Sequence, residues 1–368
     1  MGTAGALGNK VMNKSVNDTF FALLRSGLWD CVFDVPAEVD WKEVFKIAKK
    51  QTLTGIIADS FFKQGLSLGE EKDMKLLSTL TRIKRKNLQL NKELIDFTSF
   101  LEEHHIKYAV VKGQVVGSFY PNPSLRQAGD IDFFCVKDDY DRLLSLLEEF
   151  YHINTKKSTT IHIEFKLNDI QFEMHSNLME FACKAHQTYW NQRLDEEMEH
   201  PAHVVINDHQ VATLPPTINV LYVFCHLFHH LITSGIGIRQ LNDLTILMDK
   251  LHDEIDFSQL KIDLMNLGLW KMFKAVGYIL VHYIGLQPEK LGFDLDEKDC
   301  RWGEKILQNI FDMGNFGHTE RKVQEKGLLH SLETGWIATK QGCKFVPLAP
   351  KEILSTIPMM TRWFLHKL

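Results

Sequence analysis

The stretch VVKGQVVGSFYPNPSLRQAGDIDFFCV, residues 110–136, decides the fold. It continues a β-branched run from Ile106, and Gly113 ends that run as it would end a strand. Gln114–Tyr120 has room for two turns of helix, and Pro121–Ser124 reads as a loop. Asp130-Ile131-Asp132 then leads into a second apolar strand. Side chains alternate along a strand, so Asp130 and Asp132 share one face while Ile131 and Phe133 share the other. Two carboxylates side by side offer hard oxygen ligands of the kind Mg²⁺ or Mn²⁺ takes. The same pattern also makes a plain solvated strand end after a Gly-Asp turn.

Downstream, Lys137–Phe150 reads as a helix with Asp138, Asp139 and Asp141 near its start, where the helix dipole favours negative charge. Three further strands are expected at Tyr151–Thr155, Ile161–Lys166 and Ile170–His175. If Asn168-Asp169 is a two-residue turn, Leu167 faces Ile170, and the pairing runs back to His162 opposite His175. One face of that hairpin is apolar. The other sets Glu164 directly opposite Glu173, which is destabilising unless a positive group lies near or both turn to water. Either glutamate is a candidate third carboxylate beside Asp130 and Asp132, the set a two-metal phosphoryl or nucleotidyl transfer needs. Lys112-Gly113 sits at a strand-to-helix turn. There glycine lets backbone N–H groups approach an anion, and Lys112 adds a point charge; an ordinary turn would look the same. The order β-α-β-α-β-β-β describes an α+β unit.

Helices flank this unit. Residues 15–100 are helical in pattern, with Asp40 as an N-cap and Trp41, Val44, Phe45, Ile47 and Ala48 on one stripe. A long amphipathic helix follows from Leu76, carrying Arg82, Lys84, Arg85 and Lys86. That run is a solvated face or a basic strip facing a phosphate-bearing ligand. Val204–Leu214 forms a hairpin around Asn207-Asp208. Helices are expected from Thr217, as a cap, to Leu231, from Ile238 to Glu254, and from Trp270 to Leu286. The last fifty or so residues, with Pro347, Pro350 and Pro358, read as short pieces. The chain divides into an N-terminal helical region (1–104), an α/β core with an extra hairpin (105–214) and a C-terminal helical domain (215–368).

The 368 residues suffice for two or three packed units, and 45% apolar with 24% charged residues is ordinary for a soluble globular protein. A net charge of −5 argues against long nucleic acid as a partner, which would need a basic surface. None of the six cysteines forms a C-x-x-C pair. They read as buried free thiols of a reducing compartment. The N-terminal stretch lacks the apolar core of a leader and the hydroxyl of a myristoylation motif. Val220–Ile232 is too short and too rich in histidine to span a bilayer. A cytoplasmic protein with no membrane partner is expected. His226 and His230 share a helix face, but no H-E-x-x-H motif is present, so they read as core or groove histidines. No P-loop and no G-x-S-x-G occurs.

Lys112-Gly113, Tyr120-Pro121, Pro123, Arg126 and Gly129-Asp130-Ile131-Asp132, followed by Phe172-Glu173-Met174-His175, resemble the uncharacterised nucleotidyltransferase branch of the DNA polymerase beta-type superfamily. The upstream W-x-x-V-x-x-x-A from Trp41, the Leu214-Pro215-Pro216 and CHLFHH segments, and IRQLNDL from Ile238 extend the likeness over roughly residues 20–260. The resemblance implies a small mixed-sheet nucleotidyltransferase core between N-terminal helices and a C-terminal helical domain. It implies Asp130, Asp132 and Glu173 as catalytic metal ligands, with Glu173 helping to activate an acceptor hydroxyl. Glu173 is preferred to Glu164 because the family motif ends in carboxylate-x-His, which His175 completes. Gly113 would open the nucleotide-binding turn, and Lys112 and Arg126 would face the triphosphate. The helix bearing His226, with Arg239 and Asp243, would pack near the cleft.

The implied reaction moves an NMP, most simply AMP from ATP, to a hydroxyl of a small molecule or protein, using Mg²⁺ or Mn²⁺ and releasing pyrophosphate. Gly113-Gln114 departs from the usual Gly-Ser or Gly-Gly, and the spacer to Asp130 is longer than usual. A catalytically inactive nucleotide- or partner-binding module of the same fold is the alternative. A metal-dependent phosphohydrolase is a third reading.

Overall fold

The computed structural model describes residues 14–155, 162–314 and 328–356, with side chains described from residue 15 and, in the last segment, from residue 335. The readings made on the N-terminal leader region and on Ile161 and Pro358 lie outside the described residues.

Four helices come first: α1 (Lys14–Trp29), α2 (Trp41–Lys50), α3 (Thr54–Lys63) and α4 (Glu70–Glu103). Asp40 caps α2 as expected, its Oδ1 accepting the Glu43 N–H at 3.1 Å. Val44 and Ala48 are buried, with Trp41, Phe45 and Ile47 half-buried around them. Then follow β1 (Tyr108–Val111), the short α5 (Gly113–Ser118), β2 (Asp130–Cys135), α6 (Lys137–Tyr151), β3 (His162–Leu167) and β4 (Ile170–His175). After α7 (Lys184–Glu197) comes a second hairpin of β5 (Ala202–Ile206) and β6 (His209–Thr213). The remaining helices are α8 (Pro216–Thr233), α9 (Ile238–Lys250), α10 (Phe257–Asn266), α11 (Trp270–Ile279), α12 (Glu297–Met313) and α13 (Leu328–Phe345).

The fold is α+β. Its mixed sheet has the order β3-β4-β2-β1-β6-β5. β1 runs antiparallel to β2 and parallel to β6, and β2 runs parallel to β4. Both hairpin turns have the expected residues. Asn168 and Asp169 have φ of 45° and 66°, and Asn207 and Asp208 have 48° and 65°. Two consecutive positive φ values match the right-handed twist of paired strands, which is why Asn-Asp is placed there. The first turn sets the β3–β4 register, with Leu167 opposite Ile170 and Glu164 opposite Glu173.

The two faces of the sheet have different roles. On one, Ile131, Phe133, Phe172 and Met174 pack against Leu94 and Phe97 of α4 and Leu143 and Leu147 of α6. On the other, Ala109, Val111 and Phe134 join a larger apolar cluster built from N-terminal and C-terminal helices together. This second face also carries the polar residues of β2 and β4.

Some local expectations fail. Tyr151–Thr155 is not a strand, because α6 continues to Tyr151 and ends on a left-handed His152. Tyr151 packs on Phe97 and Phe100, and the Ile153 N–H bonds the Leu147 carbonyl at 3.1 Å. The β-branched run is thus the apolar wrap of a helix C-terminus. Thr217 does not cap α8, which starts on Pro216; its hydroxyl instead accepts the Asp256 N–H at 2.9 Å. Of the cysteines, Cys135 and Cys225 are buried as expected, but Cys31 and Cys343 are exposed.

A clasp joins distant parts of the chain. Trp29 Nε1 donates to the Ile284 carbonyl at 2.8 Å and Arg25 Nη1 to the Tyr283 carbonyl at 3.1 Å. Gly285 lies in this clasp at φ 93°, and a Cβ there would stand 3.0 Å from Arg25 Cδ and Trp29 Nε1. Gly285→Ala is expected to destabilise the protein by about 1–2 kcal/mol through the left-handed backbone alone. Urea unfolding checks it: an unchanged midpoint would show that the clasp yields freely.

Candidate active site

Asp130 and Asp132 lie on the same face of β2, as alternation requires. Parallel pairing with β4 brings Glu173 beside Asp132. His175 is two residues on, also on that face. Asp132, Glu173 and His175 each offer one ligand atom, and these atoms lie within 4.8 Å of one another. Glu164 lies opposite Glu173 but is exposed, its carboxylate 3.4 Å from His162 Nε2. The two glutamates differ in direction: Glu164 faces water, while Glu173 turns to the cluster and still feels the charge of Glu164.

Lys112 supplies the positive group. It sits at φ 54° and ψ −137°, a backbone region that favours glycine, just before Gly113 at φ 36°. From that position its Nζ donates to Asp132 Oδ1 at 2.9 Å and to His226 Nε2 at 3.2 Å. His226 therefore accepts at Nε2 and carries its proton on Nδ1. Burial, with Lys112 next to it, holds the His226 imidazole far below its usual range. His230 Nε2 stands 3.2 Å from the same nitrogen. Burial, then His229 and Lys112, push His230 down to about 3.

The carboxylates divide. Burial disfavours the charge on Asp132, yet Lys112 and His175 outweigh it and hold the group well below the usual carboxylate range. Asp130 is pushed up by burial and by Asp132. Glu173 is pushed up to about 7 by burial, then by Asp132 and Asp130. Three carboxylates thus share a half-buried face with one ammonium. A divalent cation would relieve the excess negative charge, and two carboxylates with an imidazole make a suitable donor set. The residues present fit such an ion.

A cavity of about 520 Å³ opens over this face. Its lining includes Lys112, Gly113, Asp130, Asp132, Glu173, Arg126 and Arg239. Arg126 is almost fully buried. Its Nε and Nη2 donate to the two oxygens of Asp243 at 2.7 Å each, and Tyr120 Oη donates to Asp243 Oδ1 at 2.7 Å. The sequence places Arg126 toward a triphosphate; in the structure two of its nitrogens are committed to Asp243. Its Nη1 is buried without a hydrogen-bond partner. Arg239 Nη1 donates to the Gln127 carbonyl at 3.1 Å, and its Nε is also buried and unpartnered. Buried donors without acceptors are costly, and two guanidinium groups in this state line one cavity.

Of the sequence candidates, the structure gathers Lys112, Gly113, Arg126, Asp130, Asp132 and Glu173 around one cavity. His175 completes the ligand cluster more closely than Asp130 does. Tyr222, whose ring centroid lies 5.8 Å from Lys112 Nζ, is a neighbour that sequence reading misses. It carries no local signal, being one apolar residue in an apolar helix.

Among the described residues no helix is long and apolar enough to cross a membrane. The family model described as "Uncharacterised nucleotidyltransferase" matches residues 37–285, which takes in α2 through α11 and the whole of the cavity lining. No curated protein matches the chain.

Proposed function

Because the chain belongs to the uncharacterised nucleotidyltransferase family, we propose that it transfers a nucleoside monophosphate from a nucleoside triphosphate, most simply AMP from ATP, to an acceptor hydroxyl. The observation that carries this reading is one cavity lined both by Asp132 and Glu173, which His175 joins in a ligand cluster, and by two buried, incompletely paired guanidinium groups. Asp132, Glu173 and His175, with Asp130 beside them, would hold Mg²⁺ or Mn²⁺, which supplies neutralising charge to the phosphates and acidifies a bound hydroxyl. Arg126 Nη1 and Arg239 Nε are the free donors for phosphate oxygens. Lys112 keeps Asp132 ionised. Glu173, beside Asp132 on the same face of the sheet, is the carboxylate placed to take the acceptor's proton. The acceptor oxygen forms its bond to the α-phosphorus, the bond to the bridging oxygen breaks, and pyrophosphate leaves.

Calorimetry tests the reading. The wild type is expected to bind ATP only with Mg²⁺ or Mn²⁺, and turnover with an acceptor to release pyrophosphate. Inorganic phosphate as the product would mean hydrolysis, and binding without product would mean a nucleotide-binding module. Folded protein that binds no nucleoside triphosphate would overturn the assignment.

A further inference from the structure

We propose that a second groove, between α2, α3 and α4, binds the acceptor, and that the acceptor is a small phosphate monoester whose mainly apolar body carries the hydroxyl that receives the nucleotide. The groove has a volume of about 620 Å³, the size of a small-molecule site. It adjoins the cavity above the carboxylates, since Gln127 and Ala128 line both. These two residues immediately precede Gly129-Asp130, so a ligand lying in the groove reaches the metal face at its edge.

The charge in the groove is one-sided. Lys49 comes from the end of α2, and Arg82 and Lys86 come from α4; no acidic residue lines the groove. Arg82 and Lys86 are four residues apart and so share a helix face. The basic run on α4 is therefore split: Lys84 and Arg85 are exposed and do not line the groove, whereas Arg82 and Lys86 do. Of the other α4 cations, Lys75 pairs with Glu71 at 2.5 Å and Lys92 with Asp96 at 3.4 Å, while Lys72, Lys84 and Arg85 are exposed to solvent. Lys49, Arg82 and Lys86 appear in no ion pair among the described residues. Three cations outside any ion pair, around one small groove with no acidic residue in its lining, suit an anion of high charge density. A carboxylate carries one charge; a phosphate monoester carries nearly two and three acceptor oxygens.

The remaining walls are apolar. Phe45, Leu76 and Ile83 line the groove, while the polar neighbours are otherwise engaged. Asn87 Nδ2 donates to the Ser124 and Arg126 carbonyls at 2.8 and 2.9 Å, and Gln127 Oε1 accepts the Gly55 N–H at 3.3 Å. The lining thus suits a compact apolar body with one phosphate group better than a nucleic-acid backbone, which needs a long basic track.

The acceptor role rests on the nucleotidyl-transfer reading, so both sites are measured together. Phenyl phosphate is titrated calorimetrically into the full chain, with Mg²⁺ and with or without saturating α,β-methylene-ATP. Saturable binding is expected in both cases, at least about tenfold tighter than for inorganic phosphate because the ring meets the apolar walls. Arg82→Gln/Lys86→Gln is expected to weaken phenyl phosphate at least about tenfold and leave α,β-methylene-ATP binding unchanged. Both residues are on the surface side of α4, and thermal unfolding confirms the variant's fold. Absent phenyl phosphate binding, or binding indifferent to the double substitution, overturns the groove while nucleotide binding stands. Groove binding without any nucleotide binding overturns the transferase reading and the acceptor role with it. Tighter binding of a single-stranded RNA oligonucleotide than of phenyl phosphate, lost in the same variant, overturns the small-molecule assignment.

Discussion

Asp132→Asn is expected to weaken Mg²⁺-dependent ATP binding at least about 100-fold while the chain stays folded. Substitution of outer partners of a metal site already lowers affinity by about 10–100-fold, and Asp132 is proposed as a direct ligand. Its Oδ1 accepts from Lys112 at 2.9 Å and lies 3.3 Å from His175 Nε2. Two opposing effects bear on folding. Loss of the charge leaves the buried Lys112 ammonium without its nearest counter-ion, which is destabilising. It also removes the closest like charge from Asp130 and Glu173, both of which Asp132 pushes up. Lys112 keeps those two carboxylates within its field, so the balance leaves a folded protein. Asp130→Asn is expected to weaken binding less, since Asp130 stands outside the three-residue cluster. Calorimetry of the two variants against wild type checks the order. Equal and small effects would remove β2 from the metal site.

Asp243→Ala is expected to have the largest effect on stability, about 3–5 kcal/mol, because it leaves a buried guanidinium without its charge partner. Arg126 loses both 2.7 Å bonds and Tyr120 loses its acceptor. A fall in melting temperature of about 4–6 °C follows for a chain of this size. Removing both charges is expected to be milder. Arg126→Met/Asp243→Leu should recover part of the loss, since the desolvation of two ions disappears with them. The pH dependence has a definite sign. Arg126 and Tyr120 hold the Asp243 carboxyl below its ordinary value despite burial, so the pair's stability is fully present above the unfolded pKa of about 4 and is lost as pH falls through the folded value. The gap between wild type and Asp243→Ala should stay constant from pH 7 to 5 and narrow below about pH 4. A gap that closes above pH 5 would exclude the ion pair as its cause.

Local rules carried the sequence reading where the decisive interactions are local. The alternation through Asp130-Ile131-Asp132 fixes which side chains share a face, the Asn168-Asp169 turn fixes one strand register, and both stand in the structure. The third carboxylate could not be chosen on geometry alone. Glu164 and Glu173 are equivalent within their hairpin, and only the parallel docking of β4 on β2 separates them. Arg126 shows the limit most clearly: its partner Asp243 is 117 residues away, and nothing near Arg126 announces it. Tyr151–Thr155 failed for the opposite reason, a local β-branched signal overridden by packing on Phe97 and Phe100. Helix α7 has a mixed, mostly polar surface with few buried residues, so its periodicity is faint.

The clasp between α1 and the turn after α11 also sets a timetable. Trp29 and Ile284 are 255 residues apart in the chain. At a synthesis rate of about 5–20 residues per second, Trp29 leaves the ribosome roughly 10–50 s before its acceptor exists. Phe21 waits longer still, since it packs on both Tyr283 and Phe311. Until then the apolar side of α1 has only its N-terminal neighbours for cover. Until residues 283–311 are made, part of the apolar face of α1 therefore stays uncovered, and the unfinished chain is more open to aggregation than the finished protein.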